Sequence, residues 1–297
     1  MTNLVKLNPF ISEKVWGGHK LSQFKNLAST NKVGETLEVS TLLNESSFVG
    51  NLKLSELCSL NYLVKFIDTS EHLSIQVHPG DEYARLHENS SGKTECWLIT
   101  ECEEKSGIYL GFKKGVTKKE FFNAAETGLR VDQYLNFVEV APGDFFYLPP
   151  GSIHAIGSGV TLCEVQQSSG ITYRVWDWNR MGLDGKPREL HLNKAKDVTN
   201  FDIDFNQKLL SSTKRNVFNQ TDILTLVEHK DFTAQLFTNI SSKTYELNLS
   251  KTNSLIILKG AMSGDLDAKA YESFIAVNDC TISFQACESS AFLLVSN

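Results

Sequence analysis

Residues 140–154 read Val-Ala-Pro-Gly-Asp-Phe-Phe-Tyr-Leu-Pro-Pro-Gly-Ser-Ile-His. Pro142-Gly143-Asp144 has the composition of a tight turn, with a fixed φ, a glycine free to take positive φ, and a short side chain that bonds to nearby backbone. Phe145–Leu148 is a β-type run, and Pro149-Pro150-Gly151 turns the chain again before His154. The spacing predicts a hairpin with His154 at the head of its second arm. Outward from it the same texture recurs in LVKFID (63–68), LSIQVH (73–78), CWLIT (96–100), GIYLGF (107–112) and VTLCEVQQ (160–167), separated by Gly, Pro, Asn, Asp and Ser. Short strands at that interval predict a barrel or sandwich.

Helical signals are few. One follows Pro79-Gly80 and covers Asp81 to His87, with Asp81 expected to cap it. The other runs to Glu126 from a Thr117-x-x-Glu120 capping box and ends at Gly128. A polar stretch, FDIDFNQKLLSSTKRN (201–216), precedes a return to strand and turn. The expected organisation is mainly β: a first barrel with short helical insertions over 1–205, and a smaller barrel over 206–297.

The pattern Gly143-x5-Pro149-x-Gly151-x2-His154 resembles the second sequence box of the cupin superfamily, whose jelly-roll barrels hold a metal inside. The first box of that superfamily supplies His-x-His and then a glutamate; here the strand reads Gln76-Val77-His78, and Glu95 opens the next one. Residues i and i+2 on a strand face the same side, so Gln76 and His78 both point into the lumen. Two imidazoles, a carboxylate and an amide oxygen form a borderline-to-hard set that suits one Zn²⁺, with Mn²⁺, Co²⁺ or Fe²⁺ as alternatives. The C-terminal part has neither box and is expected to be metal-free. His19, His72, His87, His191 and His229 lack such partners and read as surface or packing residues.

LVKFIDTSEHLSIQVHPGDEYA (63–84), GKTECW (92–97), PPGSIHAIG (149–157) and TYRVWDWNR (172–180) resemble the type I mannose-6-phosphate isomerases, in their short bacterial form. With WGG (16–18) and GETLEVS (34–40), the likeness covers most of residues 8–200 in order and spacing, and fades beyond 200. It implies a zinc-dependent conversion of D-mannose 6-phosphate to D-fructose 6-phosphate through a cis-enediol. It also implies that Lys65, Lys93, Arg174 and Arg180 stand around the substrate. Arg174 is the first catalytic candidate, because a permanently charged fork stabilises an enediolate or grips phosphate. Lys93, on the face of Glu95, is a second, and Glu164 in Cys163-Glu164-Val165 is a third, an acid or base if it is desolvated and not simply an edge-strand glutamate. Lys65 and Arg180 are expected to bind substrate, as is Ser74, on the face of Gln76 and His78. The turn Pro79-Gly80-Asp81 has one carboxylate fewer than relatives usually carry.

Composition narrows the alternatives. A net charge of -6 argues against nucleic-acid partners, since phosphate-backbone affinity needs clustered Lys and Arg. An acidic chain that binds an anion does so with a few local cations. Cys58, Cys96, Cys102, Cys163, Cys280 and Cys287 lack C-x-x-C spacing and read as reduced, buried hydrophobes. The first twenty residues carry no signal-like apolar stretch, and no run is long enough to span a membrane. A cytoplasmic monomer acting on a small sugar phosphate is expected. The rival readings are an Fe(II) oxygenase, which an amide ligand disfavours, and a silent sugar-binding regulatory cupin, which has no use for a Lewis acid.

Overall fold

The structure, a computed structural model, describes residues 3–27, 31–220, 222–239 and 241–297. It is mainly β, laid down as two pairs of facing sheets. In the first pair a five-stranded sheet runs in the order Leu135–Glu139, Gly107–Phe112, His154–Ile156, Ile75–Val77, Tyr173–Trp176. Its six-stranded partner runs Phe145–Leu148, Glu95–Cys102, Val160–Gln167, Tyr62–Asp68, Val33–Val39, Phe10–Gly18. Trp97, Ile99, Phe146 and Leu162 from the second sheet share a core with Ile108, Leu110 and Ile156 from the first. Each fully buried side chain of this size contributes about 1.5–3 kcal/mol.

The second pair joins six strands, among them Asp222–His229, Phe232–Thr238, Ser254–Lys259 and Ala291–Ser296, to a four-stranded sheet. Its edge strand is Leu4–Lys6, paired with Ser273–Ala276, so the chain begins in the sheet that it later completes. Where the sequence predicts barrels, the ladders of the described residues leave all sheets open, and closure is by side-chain packing between faces.

Burial of the Val160–Gln167 strand explains its composition. All eight residues are buried: Leu162 faces the first core, while Cys163 and Val165 pack in a cluster with Leu236, Ile256 and Val295 of the other sheet pair. Glu164 therefore lies on a central strand, 2% exposed, and not on an edge.

The 140–154 segment is not a hairpin. Phe145–Leu148 pairs with Glu95–Cys102 in one sheet, whereas His154–Ile156 pairs with strands of the other. Gly143 and Gly151 adopt φ of +88° and +87°, a region that disfavours side chains, and Ser152 Oγ closes the second turn on the Pro149 carbonyl at 2.6 Å. The turn carries the chain across the gap between sheets instead of back along one of them.

The capping box forms as expected at Thr117–Glu120, opening the Lys118–Glu126 helix. Its Phe121 and Phe122, with Leu192–Val198, cover the outer face of the five-stranded sheet. The Asp81–Glu88 helix is present, but Asp81 does not cap it: Gly80 is the N-cap, and the Asp81 carboxylate accepts instead from Gly92 N at 2.9 Å and Gln167 Nε2 at 3.0 Å. Of two further helices, Leu192–Val198 precedes the stretch expected as a polar connection and Ile203–Ser211 occupies it. The second is capped by Asp202, whose side chain accepts from Phe205 N at 2.8 Å. No helix of the described residues is long and apolar enough to cross a membrane.

Candidate active site

Two facing rows of side chains make the site. On the five-stranded sheet, Gln76 pairs with His154 on one side and Arg174 on the other, and directly opposed residues share a face. Ser74 and His78 extend the row by the two-residue period of the strand. On the six-stranded sheet, Glu164 stands between Trp97 and Lys65, and Gln166 lies opposite Glu95.

The rows meet at His78, Glu95 and His154, whose ligand atoms all lie within 4.8 Å of one another and are all buried. Glu95 Oε1 is 3.2 Å from His78 Nε2 and Oε2 is 3.7 Å from His154 Nε2. Gln76 Nε2 lies 3.4 and 3.3 Å from those two nitrogens, so the amide nitrogen, and not the expected oxygen, faces the rings, while Oε1 accepts from Ser74 Oγ. Behind His154, the ring Nδ1 bonds the Ser152 carbonyl at 2.9 Å, which orients Nε2 toward the cluster.

Electrostatics match a cation site. Burial pushes the His78 imidazole down to about 3, with Lys93 acting in the same direction, and burial also lowers His154. Both rings are thus neutral near pH 7, as a ligand nitrogen must be. Burial opposes ionisation of Glu95, but Lys93, at 3.1 Å, acting together with His78 and His154, holds the carboxylate well below its ordinary range. Although Lys93 and His78 are near, neither Glu95 oxygen accepts a hydrogen bond of sound geometry, and both are fully buried. Lys93 answers Oε1, whereas Oε2 faces the His154 ring at 3.7 Å, and a buried charged oxygen without a bond is costly unless a second cation sits beside it. The residues fit a divalent ion.

A cavity of about 340 Å³ opens beside this cluster, lined by Gln76, Glu95, His154, Ser74, Lys93, Lys65, Glu164 and Arg174 among others. Every residue expected at the site except His78 and Arg180 lines it. His78 lies behind the wall, and Arg180 is turned to Asp177 at 2.9 Å and toward Glu71 at 3.7 Å.

Glu164 is the least ordinary acid on the wall. Burial and then the charge of Glu95 raise its pKa, against the pull of Lys65 at 3.0 Å, while Trp97 Nε1 donates to its other oxygen at 2.7 Å. Lys65 is bridged to Glu35 as well, at 3.0 Å, and Lys14 reaches Glu35 at 2.9 Å. Burial works against the Lys65 charge, but Glu164 and Glu35 overcome it and raise its pKa. Lys14, Glu35 and Arg188 line the cavity without having been picked out in the sequence. Glu35 sits within GETLEVS, a visible signal; Arg188 comes from an irregular loop with no periodicity to mark it.

The B. subtilis (strain 168) protein GmuF, named a probable mannose-6-phosphate isomerase, is 38% identical over 218 residues, 67% of this chain and 69% of its own length. The chain belongs to the type I mannose-6-phosphate isomerase family. Mannose-6-phosphate isomerase ManA of the same strain is 40% identical over 209 residues, 64% of this chain and 66% of ManA, so the match spans just under two thirds of that relative. No family model matches the sequence. Solved isomerases extend the fold over the whole chain. The B. subtilis mannose 6-phosphate isomerase superposes with a TM-score of 0.82 at 25% identity over 99% of each chain. A mannose 6-phosphate isomerase bound with zinc and yttrium shares the fold, with a TM-score of 0.72 at 15% identity.

Proposed function

We propose that this chain interconverts D-mannose 6-phosphate and D-fructose 6-phosphate, with one Zn²⁺ held by Gln76, His78, Glu95 and His154. The observation that carries the metal site is the buried, ionised Glu95 between two neutral imidazoles; the relatives carry the substrate. Turned end for end, the Gln76 amide aims its oxygen at the two rings. Zinc is also the ion of one neighbour of the same fold.

A bound zinc ion supplies positive charge that polarises the carbonyl and hydroxyl oxygens of the open-chain sugar. The chain itself handles the proton. Glu164, buried and held between Trp97 and Lys65, takes the proton from C2 of the aldose and returns it to C1, while the hydroxyl proton of O2 passes to O1 in the enediol. Lys93 and Arg174 face the negative charge that develops on the sugar oxygens, and their fixed partners keep reorganisation small. Lys65 and Ser74 orient the sugar, and Arg180 braces Asp177 behind the site.

In this reading each sheet pair is a flattened cupin-type unit, residues 1–205 forming the catalytic one and lending the Leu4–Lys6 strand to the other, and 206–297 a metal-free support. The enzyme works in the cytoplasm as a monomer. Incubation of zinc-loaded protein with mannose 6-phosphate should yield fructose 6-phosphate at a rate on the order of 1–10³ s⁻¹. No turnover by zinc-loaded, folded protein would refute it.

A further inference from the structure

Three guanidinium groups gather around one carboxylate at the cavity edge. Arg188 donates through Nε and Nη2 to Asp177 Oδ2 and Oδ1 at 2.7 and 2.5 Å, and Arg180 Nη2 reaches Oδ1 at 2.9 Å. The guanidinium of Arg174 lies near enough to feel the charge of all three. Asp177, 5% exposed, balances one of the three positive charges. The remaining acids nearby, Glu71 and Glu189, have side chains 51% and 83% exposed, so solvent screens them. About two positive charges are left uncompensated in a half-buried place.

Arg174 and Arg188 line the cavity; Arg180 does not. Arg174 is fixed by Nη1 to the Glu189 carbonyl at 2.8 Å and by Nε to Ser74 Oγ at 3.3 Å, and its Nη2 has no partner among the described residues. Arg188 is fixed through Nε and Nη2, and its Nη1 is likewise unpartnered among them. Each fork is held rigid on one side and offers an unused N–H on the other. Burial and then the charge of Arg188 depress the Arg174 pKa, and a bound anion relieves both. A dianion with several acceptor oxygens suits two such forks.

We propose that Arg188, held by Asp177, closes on the substrate phosphate beside Arg174, whose fork faces the reacting sugar oxygens, and so selects phosphorylated over free hexose. The identity of the sugar rests on the isomerase reading; the phosphate clamp does not. Calorimetric titration of zinc-loaded wild type, Arg188→Met and Arg188→Lys with inorganic phosphate tests the clamp directly. Loss of one charged bond pair weakens binding about 10- to 100-fold, so the Met variant should bind phosphate that much more weakly and the Lys variant should recover part of the loss. With mannose 6-phosphate the loss should fall on KM rather than kcat, and the preference over unphosphorylated mannose should shrink by a similar factor. A Met variant with wild-type zinc content and melting temperature, yet wild-type phosphate affinity, overturns the clamp. If the Met variant does not fold, Arg188→Lys decides, since phosphate binding as tight as wild type would show that the fork is not used. A wild type that binds phosphate but never turns over mannose 6-phosphate removes the isomerase reading and leaves the clamp standing.

Discussion

Arg174 stands directly opposite Gln76 in the antiparallel pair of Tyr173–Trp176 and Ile75–Val77, and Ser74 lies 3.3 Å from both side chains. The candidate catalytic cation and a candidate metal ligand are therefore set by the same strand register. Arg174→Ala should keep zinc at wild-type content and lower kcat about 10²- to 10³-fold, as for removal of a preorganised donor. Metal analysis alongside steady-state kinetics checks it; near-normal turnover would remove Arg174 from catalysis.

Replacing a cluster ligand should have the opposite signature. His154→Ala opens the His–Glu–His group and also abandons the bond from Nδ1 to Ser152. Zinc content should fall below about one tenth per chain under mild chelation, because losing a ligand and its oriented second shell weakens binding by more than the 10- to 100-fold typical of second-shell changes alone. A variant that retained stoichiometric zinc would displace His154 from the ligand set.

Glu164→Gln keeps the size of the side chain and a carbonyl oxygen for Trp97 Nε1, but cannot carry a proton. Its kcat should fall about 10²- to 10⁴-fold, the usual worth of a positioned acid or base, with zinc unchanged. Solvent deuterium entry at C2 of mannose 6-phosphate should slow in parallel. Unchanged exchange would assign the proton to another group.

Gly92 precedes Lys93 and Glu95, and a Cβ placed there would meet Asp81 N at 2.6 Å and the Gly80 carbonyl carbon at 2.7 Å. Backbone cannot yield as a side-chain tip can, so Gly92→Ala should destabilise by about 1–3 kcal/mol and loosen zinc by shifting Glu95. Melting temperature and chelator competition report the two effects separately.

Asp81 offers a pH test. Burial alone would raise its pKa, but Lys230 at 2.7 Å and the bonds from Gly92 and Gln167 outweigh burial and lower it below 3.8. A depressed carboxyl stabilises the fold above its unfolded pKa and loses that contribution as pH falls through the folded value. The melting-temperature gap between wild type and Asp81→Asn should therefore be steady from pH 8 to about 5 and shrink only as pH falls below the ordinary carboxyl range. A gap that persisted there would show that the charge of Asp81 is not what matters.

Much of this was readable from the chain because strand chemistry is local. The cupin box that Gln76, His78 and Glu95 resemble and the two-residue period point to one cluster, and Thr117–Glu120 announces its own cap. What failed depended on tertiary context. The 140–154 turn has hairpin chemistry, but the two strands it joins belong to different sheets, which no local signal records. For Glu164 the local pattern leaves a desolvated acid and an edge-strand residue both open, because the strands that flank it, Glu95–Cys102 and Tyr62–Asp68, are distant in sequence. Asp81 read as a cap because its partners, Gly92, Gln167 and Lys230, are distant in sequence. Arg188 was missed because an irregular loop brings it to Asp177.

The central claim, a single zinc ion in this cluster serving sugar-phosphate isomerisation, meets its most direct test in a titration. Metal-free protein receives Zn²⁺ in steps, and conversion of mannose 6-phosphate to fructose 6-phosphate is measured at each. Activity should rise linearly and level off at about one equivalent per chain, as for one zinc site per chain. Full activity in the metal-free protein, or none at any zinc ratio, would contradict it.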